Sequence, residues 1–146
     1  MTDISEILPH KPPMLLLDDV VKIDLKKKYV KTSFKVTDKN IFFDKTVNGI
    51  PSICGIEFMA QTIGCYAYFA NGEKEPKIGF LLGSRLFNNL TEVFELGDVF
   101  TVTAEEIYFD EGISAFGCSI FDKFGKEIAS ASINVFQNGK NTELPR

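Results

Sequence analysis

Histidine is nearly missing from this chain: His10 is the only one in 146 residues. Cysteine is scarce as well, and Cys54, Cys65 and Cys118 fall at no metal-ligand spacing. With one imidazole to accompany them, no zinc site is expected, and the three thiols read as small buried apolar groups of a reduced protein. There is no basic excess. A net charge of -4 runs against a nucleic-acid binder, and the Lys26-Lys27-Lys28 run suits a solvated turn. The first residues, MTDISEILPHKPP, show no basic start backed by an apolar core. No secretory leader is expected, and a cytoplasmic location is the default. Asn48, Pro51, Glu57 and Gln61 interrupt the most apolar stretch, so no membrane span is expected. With neither repeat nor linker, residues 1–146 read as one domain, with 138–146 a flexible polar tail.

What the chain does have is one long apolar stretch. From Asn48 to Gly72 it reads NGIPSICGIEFMAQTIGCYAYFANG, and Glu57 is its one charged side chain. At about 100° per residue, Ile53, Ile56, Ala60, Ile63, Gly64 and Ala67 form an apolar stripe, while Cys54, Phe58, Met59, Cys65, Tyr66 and Phe69 cover most of the rest. Pro51 suits a first helical turn and Asn71-Gly72 a stop, which predicts a helix over Ser52 to Ala70. Such a helix is expected to be buried on most sides. Glu57 then lies inside the envelope, with Gln61 as its nearest polar neighbour. A buried carboxylate is costly unless paired, hydrogen-bonded or protonated. Glu57 is therefore either a satisfied structural group, bonded to Gln61 or to backbone, or a group the protein uses.

Around this helix the pattern is that of strands. Val30, Thr32, Phe34 and Val36 alternate with Lys31, Ser33 and Lys35, so Asp18 to Asp24 and Tyr29 to Val36 read as a pair joined across Leu25 to Lys28. Prolines 9, 12 and 13 favour an extended or turn conformation around His10. Thr37 to Gly49 has no period and reads as a loop, with Phe42 and Phe43 tucked against the core. Strand-like runs follow the helix over Lys77 to Leu86, Val99 to Tyr108, Ile113 to Phe121 and Ile128 to Phe136. Short turns containing Gly97, Gly112 and Gly125 separate the later ones and imply antiparallel neighbours. The expected class is α+β, an antiparallel sheet wrapped around one long central helix. A strand left at the sheet edge could pair with a second copy, so a homodimer is expected.

LPHKPPMLLLDDVV near the start and GIEFMAQ in the helix, in this order of elements, resemble the hot-dog 3-hydroxyacyl-acyl-carrier-protein dehydratases of fatty-acid synthesis. The matching positions are Leu8, Pro9, His10, Pro13, Leu15 to Leu17 and Asp18, then Glu57, Met59, Ala60 and Gln61. GFLLGSRLF at Gly79 to Phe87 and LGD at Leu96 to Asp98 extend the likeness over most of the chain. The resemblance implies a hot-dog fold and a tunnel at a dimer interface. In that family the tunnel is lined by the helix Glu of one subunit and a His from a Gly-His-Phe-Pro-Gly loop of the other. Here the corresponding segment reads FFDKTVNGIP and contains no histidine; its closest positional match is Phe42 or Phe43. A divergent branch associated with polyene-type pigment clusters is similar in combining LPH…PMLLLD with a GIE(Y/F)MAQ helix.

Dehydrating a 3-hydroxyacyl thioester requires removal of the proton alpha to the carbonyl, protonation of the departing hydroxyl and stabilisation of an oxyanion. The expected roles follow the resemblance. Glu57 is the candidate acid, since an apolar site favours a carboxyl's neutral form. His10 is a second catalytic candidate, although a lone His in a Pro-rich turn also suits a structural role. Backbone amides at Ser52 and Ile53, in the first helical turn, are candidate donors to the thioester oxygen. Gln61 and Phe80 are further substrate-binding candidates, and Leu82 and Phe87 could line an acyl tunnel or be ordinary core. Lys11, Lys45, Lys74, Lys77 and Arg85 could dock an acidic carrier protein, were they to cluster. No cofactor is expected beyond a phosphopantetheine arm carrying the substrate, as an acyl-carrier-protein or coenzyme A thioester. The alternatives are a non-catalytic thioester-binding subunit of a heteromeric dehydratase, whose related hot-dog partner brings the His, and a hot-dog acyl thioesterase in which Glu57 activates water.

Overall fold

A computed structural model of the chain describes residues 4–8, 13–72 and 79–137. Its elements are α1 (Ile4–Ile7), β1 (Asp19–Asp24), β2 (Tyr29–Lys35), β3 (Gly49–Pro51), a 3-10 turn (Ser52–Cys54), α2 (Gly55–Ala70), β4 (Gly79–Asn89), β5 (Val93–Glu95), β6 (Val99–Asp110), β7 (Ile113–Phe121) and β8 (Glu127–Gln137). Six of the strands form one antiparallel sheet in the order β1-β2-β6-β7-β8-β4, and β3 pairs with β5 in a small second sheet.

Strand periodicity becomes a two-faced sheet. Val30, Thr32 and Phe34 of β2 point inward with Phe100, Val102 and Ala104 of β6, and Phe116, Cys118 and Ile120 of β7 continue that face. The lysines between them on β2 face outward. Lys26 to Lys28 form the expected solvated turn, with Lys28 in a left-handed conformation and its amide donating to the Leu25 carbonyl at 3.2 Å.

The inner face carries α2. Phe58 of the helix stacks on Phe34 of β2 at 4.0 Å between centroids, and Phe94 and Phe100 complete a cluster in which no ring is more than 4% exposed. Such pairs contribute about 0.5–1.5 kcal/mol each beyond their area burial. One turn on, the Thr62 hydroxyl meets the Thr32 hydroxyl at 2.8 Å and donates to the Phe58 carbonyl at 2.9 Å, so the buried polar groups are paired. Gly55 allows the helix to start close to the sheet, since a Cβ there would lie 3.0 Å from Ile120. Asn71 and the left-handed Gly72 end it as expected.

Four elements depart from the sequence expectation. Helical geometry begins with a 3-10 turn at Ser52, and α2 itself starts at Gly55. The segment expected to be wholly loop ends in β3, and β5 was not anticipated, because three-residue strands carry no readable period. Ile4–Ile7 forms one helical turn ahead of the prolines. Phe42 and Phe43 do pack against the core. His10, the first part of the expected strand at Lys77 and the 138–146 tail lie outside the described residues. Among the described residues no helix is long and apolar enough to cross a membrane.

Candidate active site

Two short elements aim the start of α2. Gly49 of β3 runs so close to β5 that a Cβ would collide with the Phe94 carbonyl and lie 2.6 Å from Val93. Only glycine fits that approach. Pro51 then directs the chain into the 3-10 turn, where the Ser52 amide donates to the Glu92 carbonyl at 2.9 Å. The expectation of the Ser52 amide as a donor to a thioester is corrected here, because it is already engaged by the Glu92 carbonyl just ahead of β5. The Gly55 amide likewise goes to the Ser52 carbonyl. The Ile53 amide takes part in neither bond, and Ile53 is 64% exposed. Beside it Pro51, Ser52, Asn89, Leu90, Thr91 and Glu92 line an open cleft of about 420 Å³.

One helical turn past Ile53, on the same side of the helix, stands Glu57. The expected burial of Glu57 is corrected: its side chain is exposed, and no hydrogen bond or ion pair holds it among the described residues. The physical reason is the direction of the stripe. Phe58, Met59, Thr62, Cys65 and Tyr66 are the residues that meet the sheet, whereas positions 53, 57, 60 and 64 look away from it. The N-terminal segment covers only the later part of this outward side, with the Leu8 side chain over Gly64. The earlier part, with Ile53 and Glu57, is open.

Gln61 is not a neighbour of Glu57 in any bonded sense. It is buried, its Oε1 accepts from the Leu16 amide at 2.9 Å, and its Nε2 donates to the Met14 carbonyl at 2.7 Å. Both ends of the amide are thus used to tie the segment after His10 onto α2, a structural task in place of the substrate contact expected of it. Phe80 is placed by backbone register only: it lies in β4 opposite Phe136 of β8. Phe87 is half-buried against the core. Of the basic residues offered for carrier docking, Lys45 is exposed on the loop before β3.

Nothing in the loop before the helix replaces a histidine. Within its FFDKTVNGIP segment Asp44 is the one carboxylate, and that group accepts from the Thr46 hydroxyl at 2.6 Å and amide at 2.9 Å. These bonds, the hydroxyl's first, hold its pKa below the usual carboxylate range, so it is a poor proton acceptor near neutrality. The Cys54 thiol is pushed up by burial and by the neighbouring charge of Glu57, which disfavours a thiolate. One chain therefore offers a carboxyl, a helix-start amide and an open cleft, with no base beside them among the described residues.

An antiparallel sheet wrapped on one side of a central helix is the hot-dog architecture. The solved ApeI:P dehydratase heterocomplex from Xenorhabdus doucetiae shares it, with a TM-score of 0.85 and 24% identity, over 97% of this chain and 95% of that one. The family model for ApeP-like dehydratases matches residues 2–145, and the chain belongs to that family. It is similar to the 3-hydroxyacyl-[acyl-carrier-protein] dehydratase FabZ of Chlamydia trachomatis, at 31% identity over 107 residues, 70% of this chain and 69% of the relative. The FabZ of Caldicellulosiruptor saccharolyticus is 34% identical over 110 residues, 73% and 76% of the two chains. The expected hot-dog dehydratase family is thereby established, and this chain is a 3-hydroxyacyl-acyl-carrier-protein-dehydratase-like protein of the hydro-lyase class.

Proposed function

We propose that this chain contributes Glu57, as the proton donor to the departing hydroxyl, to a 3-hydroxyacyl thioester dehydratase site that a second hot-dog subunit completes. One observation carries the proposal: Glu57 is exposed at the start of α2 with no hydrogen bond or ion pair among the described residues, and the FFDKTVNGIP segment before the helix has no histidine to pair with it. In the single chain the Glu57 carboxyl is open to water. A second subunit laid over Ile53, Glu57 and Ala60 would exclude that water, which favours the neutral carboxyl. The same subunit would bring the base that takes the proton alpha to the thioester, while the Ile53 amide at the positive end of α2 receives the thioester oxygen.

The partner that fits is a related hot-dog chain carrying the loop histidine. The ApeI:P neighbour is itself a heterocomplex, and a homodimer of this chain would lack the loop base on both sides. A carrier-protein or coenzyme A thioester is the substrate, with its phosphopantetheine arm entering by the cleft at Leu90, in fatty-acid or polyene-type biosynthesis.

The test is turnover of a 3-hydroxyacyl thioester by the chain alone and by the chain co-purified with a His-bearing hot-dog subunit. Enoyl thioester is expected from the complex only. Glu57→Gln in the complex should lower kcat by about 10²–10⁴-fold while the complex still assembles. Full activity in that variant, or unaided turnover by the single chain, would overturn the proposal. Free acid as product would instead identify a thioesterase.

A further inference from the structure

Resting on the dehydratase role proposed above, we infer that the side-chain hydroxyl of Ser52 is a second hydrogen-bond donor to the thioester oxygen, beside the Ile53 amide. Tyrosine and cysteine apart, the buried polar side chains among the described residues are Thr32, Ser52, Gln61, Thr62 and Ser114. All but one are satisfied. Thr32 and Thr62 meet each other at 2.8 Å, Gln61 holds Met14 and Leu16, and the Ser114 hydroxyl donates to Glu106 at 2.8 Å. Ser52 is 4% exposed, and its hydroxyl has no hydrogen bond among the described residues. Burying a hydroxyl forfeits its bonds to water, and folded proteins seldom leave one in that state without a use for it.

The position of Ser52 supplies the use. It lines the open cleft together with Ile53, Leu90 and Thr91. Its amide donates to the Glu92 carbonyl at 2.9 Å and its carbonyl accepts from the Gly55 amide, so the main chain at this residue is held from both sides. Covalent geometry then sets the spacing of two donors. A serine hydroxyl oxygen and the amide nitrogen of the next residue are four bonds apart, about 3–4 Å, so a single acceptor oxygen can be reached by both. The Ile53 amide takes part in neither of the main-chain bonds that hold Ser52. Two donors converging on one oxygen are what an oxyanion site requires.

In the reaction the partner's base takes the proton alpha to the thioester, and the electron pair of that C–H bond moves onto the thioester oxygen. The pair returns as the carbon–carbon double bond forms, the C–O bond breaks, and the hydroxyl leaves as water with the proton of Glu57. Ser52 keeps its own proton throughout: no base is bonded to its hydroxyl among the described residues, so it donates and does not attack. Its bond is strongest while the oxygen carries negative charge, and the gain therefore falls on the transition state.

The test is Ser52→Ala in the full chain with its His-bearing subunit. A saturated phosphopantetheine thioester without the 3-hydroxyl group cannot dehydrate; isotope-labelled at the carbonyl, it reports the hydrogen bonds to its oxygen by infrared difference spectroscopy. The bound carbonyl band is expected at lower frequency in the parent than in Ser52→Ala. With a 3-hydroxyacyl thioester, kcat should fall about 10²-fold while KM stays within about threefold. Tm should fall by no more than about 2 °C, since a hydroxyl with no partner in the fold takes no bond away with it. The proposal is overturned by a carbonyl band at one frequency in both proteins, by the absence of any bound band, or by a larger fall in Tm. Where the parent turns over, a kcat kept within about threefold overturns it as well. A lowered band in the parent that is lost in Ser52→Ala, with no enoyl thioester from either protein, leaves the Ser52 donor standing and removes the dehydratase role instead.

Discussion

The clamp formed by Gln61 is the sharpest place to separate a structural residue from a substrate-binding one. In Gln61→Leu an apolar side chain that ends at Cδ replaces the amide, and both bonds are lost. The Leu16 amide belongs to a residue only 6% exposed and has no water to replace Oε1, so the full desolvation cost of that donor applies, about 1–3 kcal/mol. The Met14 carbonyl sits at a half-exposed residue and can rehydrate, adding roughly 0.5–1 kcal/mol. The expected loss is about 1.5–4 kcal/mol, or a fall in Tm of roughly 5–15 °C for a chain of this size. Hydrogen exchange gives the local readout: the Leu16 amide should lose protection before any amide of α2 does.

Gln61→Glu adds a pH signature. A carboxylate there accepts from Leu16 but faces the Met14 carbonyl with nothing to donate, whereas the neutral acid restores the donor. Burial and the carbonyl both raise the folded-state pKa of the introduced acid above its unfolded value. The variant should therefore be near normal stability in acid and lose stability as pH rises through the unfolded carboxylate range. Urea unfolding at pH 4.5 and 7.5 measures it. Were Gln61→Leu to leave Tm and Leu16 exchange unchanged while raising KM, Gln61 would be a substrate contact and the clamp would be refuted.

Other substitutions probe the core and its thiols. Phe58→Ala removes the ring that stacks on Phe34 and should cost about 3–5 kcal/mol in urea unfolding. Thr62→Val alone strands the buried Thr32 hydroxyl and should cost about 1–2 kcal/mol. The double change with Thr32→Val should recover part of it, giving a coupling energy of at least about 0.5 kcal/mol in a double-mutant cycle. Burial pushes Cys65 and Cys118 up to about 12 from an ordinary 9.0. The native state then holds their protons where the unfolded state has lost them, so stability is intact below pH 9 and falls as pH rises toward 12, by up to about 1.4 kcal/mol per unit per thiol. Unfolding free energies at pH 8 and 10.5, compared with a Cys65→Ala, Cys118→Ala variant, should show the steeper fall only in the parent.

The fold was largely legible because its elements are long. The alternation through Val30, Thr32 and Phe34 set the faces of β2, and Gly97, Gly112 and Gly125, all left-handed here, marked the turns. What escaped was whatever depends on contacts between distant segments. β3 and β5 exist because Gly49 lets two backbones meet, and no local period announces that. The bond between Gln61 and the main chain of Met14 and Leu16 crosses 45 and 47 residues. On the sequence alone, Glu57 at the next turn was the natural partner.

Glu57 shows the deeper reason. A helix apolar nearly all round implies that every side is covered, but hydrophobic periodicity does not distinguish cover by the same chain from cover by another. The sheet takes the side of Phe58, Met59 and Tyr66, and the N-terminal segment takes the later part of the opposite side. Ile53, 64% exposed one turn before Glu57, is left uncovered by its own chain. An isoleucine so placed gains nothing from water, and a carboxyl beside it gains proton-donor character only when water leaves. In the function proposed above, both requirements are met by the same event, the docking of a second subunit over the start of α2. On that proposal the apolar pattern that made the helix look buried is the part of the sequence that describes the assembly, and Glu57 belongs to the interface before it belongs to the reaction.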